Sequence, residues 1–539
     1  MMSPPSYDAL VVGAGFGGIY QLYSLLKLGL AVKLVERAEG PGGTWYWNRY
    51  PGATSDTPSH LYRYSWDKED LQSYPWSHNY LLRKEVLAYL EHVVERHDLR
   101  RHMQFHTEVV SAIWNDDNCT WTVESSQGSF TARYLITSLG IITEPNWPNI
   151  PGRDQFQGSL YHTARWPDQY DLKGKRVGLI GNGSSGVQVI TAIAQDVESL
   201  VCFQRHPQYI VPAGKRAVSQ EERNTINKAY DEIWQKVKQE IGGMGVEEAK
   251  TSAMSVVDEE RERIYQDAWD DGGAFRFLLG TFNDLILNEE SNRTACDFLK
   301  KKIDQIVQDP EKRRKLTPSE LYARRPVCAD GYYEQFNREN VDVVDIAESP
   351  MLEFTRDGIK LADGTVHKLD VIICATGFNA FDGAYRRIDV VGREGKTLNE
   401  HWKDGPTTNM AVATAGFPNL FMIFGPQTPL TNVPPAIEAH VEFITGAISR
   451  AEEHRKEQST LPTPAKIVIE STEEGEAAWG GLCKAISDAA LFRTAASYFN
   501  GVNVDGKPRS VYLFIGGLNM FLQKLKECEE SEYPSFHPF

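Results

Sequence analysis

Two glycine-rich segments have the spacing that binds the pyrophosphate of a dinucleotide. A pyrophosphate must lie against backbone N–H groups at the start of a helix, and only glycine allows so close an approach and so sharp a turn. One GxGxxG pattern is weak evidence, whereas two, each between a strand and a helix, predict two dinucleotide sites. The glycines are Gly13, Gly15 and Gly18 in the first segment and Gly181, Gly183 and Gly186 in the second, where Ser184 is a further candidate ligand.

The residue that ends the following strand differs between the two units. Glu36 ends it in the first unit, where a carboxylate accepts hydrogen bonds from ribose hydroxyls, which suits FAD or NAD. Arg205 ends it in the second unit. A guanidinium there attracts a 2′-phosphate, and one charge-assisted contact of roughly 1.5–3 kcal/mol favours NADPH over NADH about tenfold to a hundredfold. The chain is therefore expected to pass a hydride from NADPH to FAD.

The electrons of the reduced flavin need an acceptor. The seven cysteines are odd in number and no two are closer than 32 positions in the chain. A disulfide acceptor is thus excluded, along with zinc knuckles, and the pattern is typical of a reducing compartment. Oxygen is the acceptor that we expect.

The segments around both glycine patterns read as strand, helix, strand, which is a βαβ unit. Two such units predict an α/β protein with two doubly wound dinucleotide-binding domains. The predicted elements are a strand Asp8–Val12, a helix Ile19–Leu28 and a strand Ala31–Val35 in the first unit, and a strand Arg176–Ile180, a helix to about Gln195 and a strand Leu200–Gln204 in the second.

A charged segment with helical spacing of its apolar residues interrupts the second domain, and Ser219 with Glu222 predicts a capping box at its start. Strands resume at Val341–Val344 and at Leu369–Cys374, which runs into an Ala-Thr-Gly turn. The predicted organisation is a FAD-binding domain at 1–150, an NADP-binding domain at 151–215, a helical insert at 216–322, a second part of the NADP-binding domain at 323–380 and a second part of the FAD-binding domain at 381–539.

Composition limits the partners. The net charge of −16 over 539 residues argues against nucleic acid, because such binders need clustered positive charge. No apolar run is long enough to span a membrane, and no leader segment is recognisable. We expect a cytoplasmic monomer. The acidic, proline-containing tail from Glu527 onward is predicted to be a solvated terminus.

Two longer motifs point to one family. Phe156–Asp168 reads FxGxxxHxxxWPD, and Gly42–Asp56 reads GGxWxxxxYPGxxxD. Both patterns resemble those of the type I Baeyer–Villiger monooxygenases of the cyclohexanone and phenylacetone monooxygenase type, and the order of motifs resembles that family over essentially the whole chain. Flavin-containing and N-hydroxylating monooxygenases share the two-dinucleotide layout but lack the Trp-Pro-Asp ending, so an enzyme acting on a heteroatom is the first alternative.

The resemblance implies an enzyme that uses NADPH, FAD and O2 to convert a ketone to an ester or lactone. In that family an arginine stabilises a C4a-peroxyflavin in its anionic form, and Arg is suited to this because it keeps its charge. The resemblance assigns that role to Arg325, gives Asp56 the task of holding it, and places Arg324 beside Arg205 at the NADP 2′-phosphate. A non-catalytic NADPH-sensing flavoprotein is the second alternative, although a sensor needs no such cation.

The resemblance also implies further cofactor contacts. Ser497–Asn503 looks like the mobile loop of the family, in which many members carry tryptophan where Tyr498 stands. The remaining cofactor-binding candidates are Gly43, Thr44 and Trp45 of the second motif and Ala375, Thr376 and Gly377 of the turn.

Several other residues invite a functional interpretation that we do not favour. His162 is expected to hydrogen-bond backbone between the two domains rather than to act as a base. Trp47 is equally compatible with a flavin contact and with a core. His102 and His106 could share a helix face but lack a third metal ligand. Gly501–Lys507 matches the GxxxxGK of a P-loop, yet a proline follows the lysine where magnesium binding needs Ser or Thr.

Overall fold

The structure is a computed structural model that describes residues 4–459 and 466–539. Strands and helices alternate along much of the chain. The strands are β1 Ser6–Val12, β2 Val32–Val35, β3 Met103–Gln104, β4 Val109–Asn115, β5 Thr120–Ser125, β6 Gly128–Thr137, β7 Ser159–His162, β8 Arg176–Ile180, β9 Ser199–Gln204, β10 Ile210–Val211, β11 Val327–Cys328, β12 Val341–Asp345, β13 Met351–Thr355, β14 Gly358–Leu361, β15 Val366–Lys368, β16 Val371–Cys374, β17 Asp389–Val391, β18 Leu420–Met422, β19 Thr428–Pro429 and β20 Leu513–Phe514. The helices are α1 Phe16–Lys27, α2 Thr44–Trp47, α3 Lys68–Ser73, α4 Arg83–Arg96, α5 Ser184–Ile193, α6 Gln220–Lys228, α7 Tyr230–Val237, α8 Asp258–Asp271, α9 Ala274–Gly280, α10 Glu289–Ile306, α11 Pro310–Leu316, α12 Tyr332–Gln335, α13 Leu398–His401, α14 Val433–Gln458, α15 Glu473–Ala489 and α16 Gly517–Glu530.

The first large sheet contains the first glycine turn. Its strand order is β17-β4-β5-β6-β1-β2-β3, with β18 beside β6, and β1 is parallel to both of its neighbours. Leu10 and Val11 of β1 are fully buried, as expected for a strand covered on both faces. Helix α1 follows the turn at once and packs against the long helix α14. The turn therefore lies at the carboxyl edge of a buried sheet, where such folds bind ligands.

The second sheet contains the second glycine turn. Its order is β12-β9-β8-β16-β7, and all of its neighbouring strands are parallel. Because β8 and β16 are neighbours, the turn after β8 and the Ala-Thr-Gly turn after β16 meet at one edge. Both predicted βαβ units are present, which confirms the fold class of two doubly wound domains.

The segment expected to be a helical insert holds helices α6 to α11. Ser219 caps α6, since its Oγ accepts a hydrogen bond of 3.1 Å from the backbone N–H of Glu222. The Glu222 carboxylate does not return to the cap as a capping box requires. It pairs with Arg216 instead, so only half of the predicted motif forms.

The predicted solvated tail is wrong. Cys528, Tyr533 and Phe536 are buried in the same core cluster as α14. The tail is acidic in composition, but its aromatic side chains cover apolar surface that would otherwise face water, and burying each releases on the order of 2 kcal/mol.

His102 and His106 do not lie on one helix, although their spacing would have allowed it. His102 ends a short 3₁₀ turn, and His106 follows β3 with a positive φ of 53°. Within residues 4–459 and 466–539, no group of three or more His, Cys, Asp or Glu side chains is arranged to hold a metal ion. In the same ranges, no helix has the length and apolar character needed to cross a bilayer.

Candidate active site

One large cavity of about 1110 Å³ lies at the carboxyl edges of the two sheets. It is bordered by both glycine turns, by the helical insert and by the loop that precedes β20. The predicted site residues that line it are Gly13, Gly15, Glu36, Gly43, Thr44, Trp45, Asp56, Gly181, Gly183, Ser184, Arg205, Arg324, Arg325, Ala375, Thr376, Gly377 and Tyr498. Gly18 and Gly186 do not line the cavity, and each instead allows a helix to pack closely against its turn.

The third glycine of each pattern is required by packing. A Cβ on Gly18 would lie 1.8 Å from the carbonyl oxygen of Gly13, and one on Gly186 would lie 2.1 Å from that of Gly181. The middle glycine of the second pattern faces open space instead, since a Cβ on Gly183 would meet nothing within 4 Å. A helix N-terminus with a bare backbone facing a cavity fits a pyrophosphate group.

Glu36 stands at the end of β2 on the wall of the cavity. One carboxylate oxygen accepts from the N–H of Ala14 and the other from the N–H of Ala38, both at 2.8 Å. Burial raises the pKa of Glu36, and these two donors oppose that rise. The carboxylate is therefore held in place beside the first glycine turn, where the fold positions a ribose acceptor.

Arg205 and Arg324 both line the far end of the cavity. Arg205 is exposed, and no hydrogen bond or ion pair engages it among the described residues. Arg324 is already held, because its guanidinium lies 2.6 Å from the Glu320 carboxylate and donates to the carbonyl of Ala496 at 2.6 Å. One unpaired cation, Arg205, and one fixed cation, Arg324, thus line the same cavity.

We expect Arg205→Ala to raise the KM for NADPH about tenfold to a hundredfold and to leave the KM for NADH nearly unchanged. The reason is that only the 2′-phosphate carries the charge that Arg205 would contact. Initial rates with both nucleotides test this, with Arg223→Ala, an arginine of the insert that does not line the cavity, as the control. An equal effect on both nucleotides would remove Arg205 from the phosphate site.

Arg325 connects the two halves of the site. Its Nη2 donates to Asp56 Oδ2 at 2.6 Å, and its Nη1 lies 3.1 Å from Ser184 Oγ in the second glycine turn. The side chains are only 26% and 23% exposed. Burial alone would lower the pKa of Arg325, but the Asp56 charge outweighs it and the pKa lies above its usual value. A permanent cation therefore borders the cavity.

Sequence reasoning missed the apolar side chains around this cation. Phe275 of α9 lies with its ring centroid 5.8 Å from the Arg325 guanidinium carbon. Met244, Phe424 and Leu430 line the same cavity from three distant parts of the chain. No local pattern marks them, since each is one apolar residue in a segment whose place is set by tertiary packing.

A second missed feature links the two halves near Asp56. The Tyr50 hydroxyl donates to Gln188 Oε1 at 2.9 Å, and Gln188 Nε2 donates to the carbonyl of Thr54 at 3.0 Å. Gln188 lies on α5, directly after the second glycine turn. The YPG part of the motif could have indicated a contact here, but not its partner.

The WPD motif lies at the connection between the two halves. His162 Nδ1 accepts from the N–H of Ala164 at 3.0 Å, and burial lowers the pKa of His162 to about 4, so the ring is neutral. It does not line the cavity. Asp168 forms an ion pair with Arg49. The Asp168–Arg49 pair therefore connects this motif to the GGxWxxxxYPGxxxD motif.

Trp47, for which the sequence left a core position and a site position equally open, lines the cavity. The guanidinium carbons of Arg37 and Arg165 lie 5.2 Å and 4.8 Å from its ring centroid. Its indole thus contacts two cations at the wall of the cavity.

Comparisons with known proteins agree with this geometry. Residues 10–267 match the family described as pyridine nucleotide-disulphide oxidoreductase. The chain is 44% identical to a phenazine N-monooxygenase of Lysobacter antibioticus, with 98% of this chain and 96% of that protein covered. It is 43% identical to a Baeyer–Villiger monooxygenase of Pseudooceanicola batsensis, over 98% and 96% of the two chains. The solved structure of cyclohexanone monooxygenase from Rhodococcus sp. Phi1 bound to NADP+ superposes with a TM-score of 0.96 at 47% identity, covering 99% of each chain.

Proposed function

Because this chain belongs to the flavin-dependent Baeyer–Villiger monooxygenase family, we propose that it binds FAD at the first glycine turn and NADP(H) at the second and converts ketones to esters or lactones with NADPH and O2. The observation that carries the proposal is the Arg325–Asp56 pair, which borders the cavity at the junction of both turns. Reduced FAD, when bound there, would supply the two electrons that activate O2.

Arg325 then stabilises negative charge in the cavity. A carbonyl oxygen becomes anionic when its carbon is attacked, and a fixed donor in a water-poor site lowers the energy of that state. Asp56 and Ser184 hold the guanidinium from two sides, so that it need not reorient during the reaction. Phe275 lies against the guanidinium and reduces its access to water, and Tyr498 lines the same cavity.

The phenazine N-monooxygenase relative raises a second candidate, oxygen transfer to an aromatic nitrogen. A nitrogen lone pair attacks an electrophilic oxygen donor, which is best when protonated. A ketone carbon must instead be attacked by an oxygen donor that is deprotonated and therefore nucleophilic. The permanent charge of Arg325 favours the deprotonated form, so the structure of the site supports the ketone reaction.

Product analysis decides between these reactions. The FAD-loaded enzyme would receive NADPH, ¹⁸O2 and a panel of cyclic, linear and aryl ketones, with phenazine as the nitrogen substrate. We expect one ester or lactone per NADPH consumed, with one ¹⁸O atom in the new C–O–C linkage. N-oxide formation without any ester would favour the second candidate. NADPH binding with no oxygenated product from any compound would favour a redox sensor.

We also propose that the chain acts as a monomer in the cytoplasm. All seven cysteines are free and buried, which suits a reducing compartment. Light scattering of the purified protein should give a mass near 60.8 kDa, and a doubled mass would contradict the proposal.

A further inference from the structure

The Gly501–Lys507 turn, which imitates a P-loop in sequence, has a different use in the fold. Lys507 Nζ lies 2.5 Å from the carboxylate of Asp382, and the two side chains are 4% and 0% exposed. The same ammonium donates to Asn379 Oδ1 and to the carbonyl of Ala380, each at 2.7 Å. Arg386 binds the other Asp382 oxygen at 2.6 Å. We call Lys507 and Asp382 the buried clamp.

A buried ion pair is weak evidence for stability, because desolvation of both charges offsets their attraction. Such a pair does specify geometry, since the Lys507 ammonium would be buried without a compensating charge anywhere except beside Asp382. The three acceptors around Lys507 all belong to residues 379–382. The clamp therefore fixes the turn that ends at Lys507 to one short segment of the chain.

That segment leads into the cavity through Phe381. Phe381 has φ of 68°, a left-handed conformation that a bulky residue adopts only when its surroundings impose it. Its ring stacks on that of Tyr498, with centroids 6.0 Å apart and an interplanar angle of 21°. Phe381 and Tyr498 both line the cavity that contains Arg325.

A second link runs in parallel to the first. Asn503 Nδ2 donates to the carbonyl of Phe378 at 2.8 Å, and Asn146 Nδ2 donates to the carbonyl of Asn503 at 2.9 Å. The segments that hold Phe381 and Tyr498 are thus joined at Asn503 and, more deeply, at Lys507.

We propose that Lys507, clamped on Asp382, is a positioning residue that holds Phe381 under Tyr498 and so keeps the wall of the Arg325 cavity closed to water. Its catalytic consequence rests on the proposed ketone oxygenation. Without the clamp, Tyr498 loses its fixed place, water enters, and NADPH is consumed without a matching yield of ester.

The test compares Lys507→Met with Lys484→Met in the FAD-loaded enzyme. Lys484 is a matched control, because it also forms a 2.5 Å ion pair, with Asp488, but its side chain is 68% exposed and lies on α15. Lys507→Met should speed hydrogen exchange at least tenfold in peptides covering 497–507 and lower the ester formed per NADPH several-fold at unchanged FAD content. Lys484→Met should change neither quantity.

A second variant separates the clamp from general stability. Phe381→Leu keeps both charges and removes the ring that contacts Tyr498, so it should lower the ester yield per NADPH while exchange near Lys507 stays parental. If Lys507→Met does not fold, this variant alone decides: parental yield in Phe381→Leu overturns the proposal. Parental exchange in a folded Lys507→Met overturns it as well.

The two proposals can fail separately. If the parent enzyme makes no ester from any ketone, the proposed function fails, and hydrogen exchange still reports on the clamp. If the parent makes ester and both variants keep its yield, only the clamp proposal fails.

Discussion

Arg325→Ala is expected to form ester at least a hundredfold more slowly than the parent while it continues to oxidise NADPH. Removing one fixed donor from a site that stabilises developing negative charge costs on the order of 10²–10³ in rate. The variant also leaves Asp56 without its partner at 2.6 Å. Because Arg325 contacts Ser184 of the second glycine turn, a modest rise in the KM for NADPH should accompany the loss.

The measurement is ester formed per NADPH consumed, with hydrogen peroxide as the expected by-product. Arg324→Ala is the matched control, since Arg324 is the adjacent arginine but pairs with Glu320. It should raise the KM for NADPH and keep the ester yield. Arg325→Lys should recover only part of the rate, because a lysine ammonium cannot contact Asp56 and Ser184 with the same planar fork. Full ester output from Arg325→Ala would remove Arg325 from the reaction.

The parts of the fold that the sequence predicts are those governed by local rules. A glycine turn between a buried strand and a helix needs a particular residue at each fixed position, so the pattern can be recognised in the amino-acid sequence. The end of the next strand is equally local, which is why the sequence alone predicts Glu36 beside the first turn, where its carboxylate accepts from the N–H of Ala14.

The Arg325–Asp56 pair can be predicted only through the family resemblance. Arg325 and Asp56 are 269 positions apart, and nothing in the chain near either residue indicates the other. The apolar wall was not accessible at all. Phe275 reaches the guanidinium from the helical insert, and its position depends on how α9 packs.

Two features of the C-terminal region depend on tertiary contacts that the sequence does not indicate. The acidic tail buries Phe536 because tertiary contacts outweigh the average polarity of the segment. The GxxxxGK match at Gly501–Lys507 does not indicate what its lysine does, and the structure buries Lys507 against Asp382. A charged side chain is rarely buried without a partner of opposite charge. The burial of Lys507 is therefore explained by Asp382 and not by the P-loop pattern.

The assignment of one cofactor to each glycine turn leads to a paired prediction. Gly18→Ala should reduce FAD content at least tenfold, because its Cβ would lie 1.8 Å from the Gly13 carbonyl oxygen and α1 would have to move from the turn. In Gly186→Ala the added Cβ would lie 2.1 Å from the carbonyl oxygen of Gly181. We expect this variant to keep its FAD but to lose the reduction of the flavin by NADPH.

Flavin released per chain and the rate of flavin reduction at increasing NADPH separate these outcomes. Gly481→Ala is the control, since its Cβ would meet nothing within 4 Å and alanine favours the helix α15 in which it lies. If both variants lost FAD equally, the two turns would not be separate sites, and the division of labour between Glu36 and Arg205 would have no basis. Loss of FAD in Gly186→Ala alone would reverse the assignment, because the backbone at the second turn would then be the flavin cradle.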